Sequence, residues 1–348
     1  MRSPATSAPI AVVGDLNVDL LLTVPAVPGP GGDAIASAQR TLLGGSSTNT
    51  AVALARLGRR VRLVARHGAD PQGDYACSVL AAEGIATDRL RIDPREPTAT
   101  NVVVITPDGE RTMYAYRGAN ARLSPADLEP SLLSGAAALH LSGYLLLTAD
   151  GQAAVRSLVD SACSAGVPVA LDIPVAPAEQ AAEHILGLLP RIDLLVVGEA
   201  EARTLTGRPD TALAVHDLTR RTRGRVAVKG GAQGSTLYQG SSATHVPACP
   251  VVVVDTTGAG DAFAAGLLHA LFGAGLDDRK ALVLANTLGA LATTRTGAGQ
   301  QLPKREEIVY ALRSRWTGPS ADAARAALST VAASEVAAPK VAAPEGER

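Results

Sequence analysis

Short apolar runs rich in β-branched residues recur along the chain, each closed by a glycine or a charged residue. Residues 10–13 end at Gly14-Asp15 and read as a buried strand, and 19–24 reads as a second. Residues 61–65, 137–141, 167–171, 194–197, 225–228 and 251–254 repeat the signal. Between them, apolar residues fall at helical spacing over 50–57, 75–83, 152–165, 199–205 and 262–271. Strand and helix in alternation predict a mainly parallel sheet covered by helices, an α/β protein. Residues 101–105 and 112–116 flank Pro107-Asp108-Gly109 and predict a hairpin, since Asp-Gly is a strong turn signal. The hairpin and the early strands fit a parallel sheet poorly. They are expected to form a small separate sheet, or lid, from segments within 14–45 and 98–120.

The pattern lapses near residue 318, so 1–317 is expected to be one domain. Residues 318–348 read as an Ala/Pro-rich tail, with a short helix over 322–328 and disorder over 337–348.

The charge balance narrows the choice of partners. Thirty-two Lys and Arg against 33 Asp and Glu leave a net charge of −1, which argues against nucleic acid or a membrane surface as partner. No stretch is apolar enough to cross a bilayer, and the amino terminus lacks the apolar core of a signal peptide. Cys77, Cys163 and Cys249 are widely separated and odd in number, so free thiols in a reducing cytoplasm are expected.

The segment richest in chemistry is Asp255-Thr256-Thr257-Gly258-Ala259-Gly260-Asp261-Ala262-Phe263, ahead of the 262–271 helix. A glycine turn at a helix start offers unpaired amides and the positive end of the dipole, which suits an anion. Asp261 stands in the first turn beside that anion, where a carboxylate can take a proton from an attacking hydroxyl. Taken alone, the same residues could simply cap the helix. The P-loop pattern is absent, and no Gly-x-Gly-x-x-Gly follows the first strand. Near the amino terminus, Asn17 and Asp19 lie two apart and share a side of an extended chain. Gly44-Gly45-Ser46-Ser47-Thr48-Asn49 precedes a helix. Amides and carboxylates of this kind suit a polyhydroxylated neutral molecule.

These two segments resemble the two signatures of the ribokinase-like, or PfkB, family of carbohydrate kinases: 44–58 the first and 255–263 the second. Gly68-Ala69-Asp70-Pro71-Gln72-Gly73, Gly118-Ala119-Asn120 and Leu205-Thr206-Gly207 also match in order, so the resemblance runs from about residue 10 to 312. It implies a three-layer α/β/α fold with a small β-sheet lid, and ATP with Mg²⁺ as phosphoryl donor. By resemblance, Asp261 is the general base, Gly258, Ala259 and Gly260 form the anion hole, and Asn17, Asp19, Gly44, Gly45 and Asn49 hold the acceptor. Lys229, Gly231, Gly234 and Thr256 match nucleotide-binding positions, and Asn286 a position near the adenine. Glu201 matches the glutamate of an Asn-x-x-Glu motif that reaches Mg²⁺ through water, but Gly198 stands where the family has Asn. Asp255, Thr257, Ala292, Arg295, Gly297 and Gln301 resemble a loop that binds a monovalent cation such as K⁺.

Ser46 stands where phosphosugar kinases of the family carry Lys, so an unphosphorylated pentose or hexose is the expected acceptor, with a nucleoside as the alternative. Arg117 is expected to be solvated beside a turn, and His140 to sit at a strand end; Tyr144 reads as either a pocket or a core residue. A homodimer through the lid follows from the resemblance. A sugar- or nucleotide-binding protein without catalysis stays open, with the missing Asn in its favour.

Overall fold

The computed structural model describes residues 8–108, 110–316 and 319–332. The first apolar run forms β1 (Ile10–Val13), with all four residues buried, followed by β2 (Asn17–Thr23) and β3 (Ala38–Gly44). Helix α1 (Ser46–Arg56) leads back to β4 (Val61–Val64). Next come β5 (Arg66–Gly68), α2 (Pro71–Ala82), β6 (Arg91–Asp93) and the expected hairpin, β7 (Ala99–Ile105) with β8 (Arg111–Tyr116). Strict alternation follows through β9 (Ala138–Ser142), α3 (Ala149–Ala165), β10 (Val169–Ile173), α4 (Val175–Gln180), α5 (Ala182–Leu188) and β11 (Leu194–Gly198). It continues with α6 (Glu199–Thr206), α7 (Thr211–Arg221) and β12 (Arg225–Lys229). The antiparallel pair β13 (Ser235–Gln239) and β14 (Ser242–Val246) precedes α8 (Ala259–Leu268), α9 (Asp278–Ala292), α10 (Arg305–Ser314) and α11 (Pro319–Ala332).

The main sheet runs β14-β13-β12-β11-β10-β9-β1-β4, parallel from β12 to β4. Alternation sends its side chains to two cores. Val12, Ala170, Val196 and Ala227 pack with α1, α8 and α9. Val13, Leu139, Leu171 and Val197 pack with α3 and its neighbours. The result is the expected three layers with a mainly parallel centre.

The lid is a second sheet, β3-β2-β7-β8, in which β2 pairs parallel with β7 and places Asp19 opposite Asn101. Strand β3 carries the first glycine signature straight into α1. A small apolar cluster, Leu21, Leu42 and Val103, forms the lid's own core.

Two expectations need correction. Residues 251–254 form no strand, and Val252, Val253 and Val254 are exposed. Pro247 and Pro250 remove ladder donors just before the run, and the Val254 and Asp255 amides both go to the Thr293 carbonyl. A β-branched run therefore lines a cleft here. The tail is the second case. Pro319–Ala332 is a helix packed on α9 and α10, with Ala324 and Leu328 buried, and so belongs to the folded body. The segment expected to be disordered, 337–348, lies outside the described residues.

Candidate functional site

The site forms where the carboxyl ends of β1, β10, β11 and β12 meet the amino termini of α1 and α8, the usual ligand position in an open α/β sheet. Asp15, just beyond β1, is buried and caps α1. Its Oδ2 accepts from the Ser46 amide at 2.6 Å and its Oδ1 from the Ser47 amide at 3.3 Å. Gly45 is held at φ 99°, and a Cβ there would lie 2.7 Å from the Asp15 carbonyl. Only glycine takes that conformation and that approach without strain. A Cβ on Gly44 would fall 2.3 Å from the Asp19 carboxylate. The two glycines thus bring the lid's polar residues against the start of α1.

Asp261 is the meeting point. The Ser46 hydroxyl donates to its Oδ1 and the Asn49 amide nitrogen to its Oδ2, each at 2.8 Å. Asn49 is itself fixed, because its Oδ1 accepts from the Gly299 amide at 3.0 Å. Burial, with the charge of Asp172 next, pushes the Asp261 carboxyl up to about 7, against the lowering effect of Asn49 and Ser46. Gly258 starts α8 at φ 76°. The amides of Gly258, Gly260 and Asp261 donate to no acceptor among the described residues. The Ala259 amide is used by the Thr256 carbonyl, so of the expected anion-hole residues Ala259 does not offer its amide.

Lys229 ends β12, and its ammonium donates to Asp172 at 3.1 Å. A Cβ on Gly260 would lie 3.1 Å from that nitrogen, so the amine faces the glycine turn. Burial alone would lower its pKa, but Asp172, Glu201 and Asp261 together hold it raised. Asp172 is a residue of this cluster that sequence reasoning missed. It lies one residue before the end of the otherwise apolar β10, and only the fold brings it to Lys229 at the end of β12, two strands away.

On the lid side, Asn101 donates to Asp19 at 2.8 Å and Asn120 to Asn17 at 2.7 Å. Burial raises Asp19 to about 6. Asn101 was also missed; it is a polar residue inside the apolar run of β7. Arg117 is not the solvated residue expected. It lies 5.7 Å over the Tyr144 ring, donates to the Tyr144 carbonyl at 3.1 Å, and has a buried, unpartnered Nε. Tyr144 is half-buried, and burial with Asp15 and Asp261 pushes it to about 12. His140 lies mid-strand and fully buried, contrary to expectation, and burial holds it near 4, hence neutral.

Beside the glycine turn opens a cavity of about 540 Å³. Lys229, Thr256 and Gly260 line its polar end; Pro250, Val253 and Phe263 line its apolar part. Gly231 and Gly234 border it as expected. Asn286 borders it too, but its carboxamide is committed to Ser235 at 2.7 Å and to the carbonyls of Val246 and Pro247. Its two N–H groups are therefore used within the wall, and only the second lone pair of its oxygen is left to a ligand.

The remaining candidates divide. Glu201 leans into the space left by Gly198, where a Cβ would meet its Oε2 at 2.1 Å. No cluster of three acidic, His or Cys residues among the described residues could hold a metal alone. Asp255, Thr257 and Gly297 come together, Asp255 Oδ2 accepting from the Gly297 amide at 2.7 Å. The Arg295 side chain turns away to Glu307, Ala292 is buried at the end of α9, and the Gln301 amide donates to the Ala298 carbonyl.

Comparison with known proteins bears on the family and the fold. Residues 7–305 match the model of the pfkB family carbohydrate kinases. A fructokinase of Klebsiella pneumoniae is 33% identical over 325 residues, covering 87% of this chain and 99% of that protein. The structure of an Arabidopsis thaliana ribokinase with ribose and ATP superposes with a TM-score of 0.76 at 28% identity, covering 88% of this chain and 98% of that one. A fructokinase of Xylella fastidiosa with bound ATP gives 0.76 at 27% identity, covering 87% and 98%.

Proposed function

The chain belongs to the pfkB family of carbohydrate kinases, and from that premise we propose that it transfers the γ-phosphoryl group of ATP to a hydroxyl of a neutral sugar, fructose first, with Asp261 as general base. The observation that carries this is the Asp261 carboxylate. It is fixed by Ser46 and Asn49, raised to about 7, and set one residue after the amides at the start of α8.

In this reading the acceptor lies between the lid and α1, against Asn17, Asp19, Gly44, Gly45 and Asn49. Asp261 takes the proton of the attacking hydroxyl. The oxygen forms its bond to the γ-phosphorus as the bond to the β-phosphate oxygen breaks, and ADP leaves. The free amides of Gly258, Gly260 and Asp261, with the Lys229 ammonium, offset the charge on the transferring group. The base sits in the apolar part of the cavity, and Gly231, Gly234 and Thr256 border the phosphates. Mg²⁺ bound to those phosphates would neutralise them further. Glu201 fits as its protein contact through water, since Mg²⁺ keeps most of its waters and takes few carboxylates.

Arg117 supports a second reading. A half-buried guanidinium with an unpartnered Nε would favour an acceptor carrying a carboxylate or phosphate. ADP release over a panel of pentoses, hexoses, sugar acids, sugar phosphates and nucleosides separates the two. Preference for fructose or another neutral sugar supports the first reading, and preference for an acid or phosphate the second. A nucleoside preference would overturn both.

A cytoplasmic site of action fits three cysteines that are all free thiols, and among the described residues no helix is long and apolar enough to cross a membrane. The exposed Tyr114 and Tyr116, two apart on edge strand β8 and so on one side of it, support a homodimer through the lid.

A further inference from the structure

The lid reaches the catalytic turn through one side chain. Arg111, the first residue of β8, crosses to the loop before α8. Its Nη1 donates to Asp255 Oδ1 at 2.5 Å and also to the Thr257 hydroxyl, and its Nη2 donates to the Thr256 hydroxyl at 2.9 Å. The partner carboxylate is buried and fully used. Asp255 Oδ1 also accepts from the Thr257 amide and hydroxyl at 2.8 and 2.7 Å, and Oδ2 accepts from the Gly297 amide. The Thr293 carbonyl behind it accepts two amides, from Val254 and Asp255.

This is the loop expected to hold a monovalent cation, and its residues do not fit one. The single carboxylate has both oxygens committed, Gly297 faces it with a donor, and a guanidinium already lies among the three side-chain oxygens. A second cation within a few ångströms would meet a like charge. We infer that the Arg111 guanidinium takes the place of that cation, so that this kinase needs no K⁺, and that docking of the lid and ordering of the 255–261 turn are one event. A diffusible ion could order the loop but could not tie it to the lid. Arg111 is thus a positioning residue, acting on Asp261 through the Asp255 loop. The inference rests on the reading of that turn as the site of phosphoryl transfer.

The test compares K⁺, Na⁺ and tetramethylammonium chlorides. For the wild type, kcat is expected to agree within about twofold among them at fixed ionic strength, and the melting temperature to be the same in each. Arg111→Ala, which removes a partly exposed lid side chain, should lose about tenfold or more in kcat, with less change in KM for ATP. Added K⁺ or guanidinium should restore part of that loss and raise the variant's melting temperature, while tetramethylammonium does neither. Wild type activated or stabilised severalfold more by K⁺ than by Na⁺ would overturn the inference. So would an Arg111→Ala enzyme that keeps full turnover without K⁺, or one that neither ion restores or stabilises. The melting readout needs no sugar, so it decides the cation question even if the acceptor proposed above is wrong.

Discussion

Asp261 is costly to the fold, and that cost is measurable apart from catalysis. Its folded pKa of about 7 lies above the ordinary 3.8. Below 3.8 both folded and unfolded states carry the proton. Between 3.8 and about 7 the folded state holds more protons, so this group's contribution to stability falls as pH rises, and it levels off above 7. Asp261→Asn keeps partners for Asn49 and Ser46 but removes the buried charge. At pH 8 the variant is expected to be more stable than wild type by about 1–3 kcal/mol, the two converging toward pH 4, as read by denaturant melts. Gly45→Ala should act in the opposite direction. At φ 99° with the Asp15 carbonyl 2.7 Å from the new Cβ, a loss of about 2 kcal/mol or more is expected, with a higher KM for the sugar. Both residues could be picked out of the sequence, because glycine pairs and an acid in a helix-start turn have few structural uses. Asp172 and Asn101 could not. Each lies in a mostly apolar strand, and its meaning appears only when the fold brings Lys229, two strands away, to Asp172 and Asp19 to Asn101.

The strands of the central parallel sheet followed their periodicity closely, because that sheet is buried on both faces, where the apolar run and the strand coincide; α7, α9, α10 and the β13–β14 pair were not read from the sequence. The 251–254 run broke that rule: it follows two prolines and joins no ladder, and Val251 and Val253 line a cleft. Strand β3 escaped notice because the first part of it is exposed and carries no apolar run. The start of α6 holds a further expectation. Glu201 fills the space vacated by the family's Asn, so Gly198→Ala should push it aside. Gly198→Ala and Glu201→Gln should each raise the Mg²⁺ concentration for half-maximal rate severalfold. The double variant should be no worse than either alone, because the two act through one carboxylate. Additive effects would show that Gly198 matters for another reason.

The molecule as a whole is a three-layer body with its lid clasped at several points, two of them at the loops that follow α9 and precede α8. Leu43 donates its amide to Gln300 beside α1, and Arg111 spans to the 255–257 loop. The carboxy-terminal boundary read from composition fell too early, since an Ala-rich helix and an Ala-rich tail look alike until packing is known. A chain ending at residue 316 loses α11 and its contacts with α9 and α10, and should melt several degrees lower with kcat nearly unchanged. Tertiary placement also explains why Arg117 and His140 were misjudged: exposure is a property of the assembled layers, and neither residue's neighbours in sequence reveal it.

The proposal that Asp261 removes the acceptor's proton is tested most directly by kcat/KM for the preferred sugar as a function of pH, in wild type and Asp261→Asn. Wild type should rise with pH to a plateau above about 7, with one deprotonation controlling the limb. The variant should be lower by about 10²–10⁴-fold, with sugar affinity nearly kept and no break near 7. A variant within a few fold of wild type, or one that retains the same break, would show that another group takes the proton.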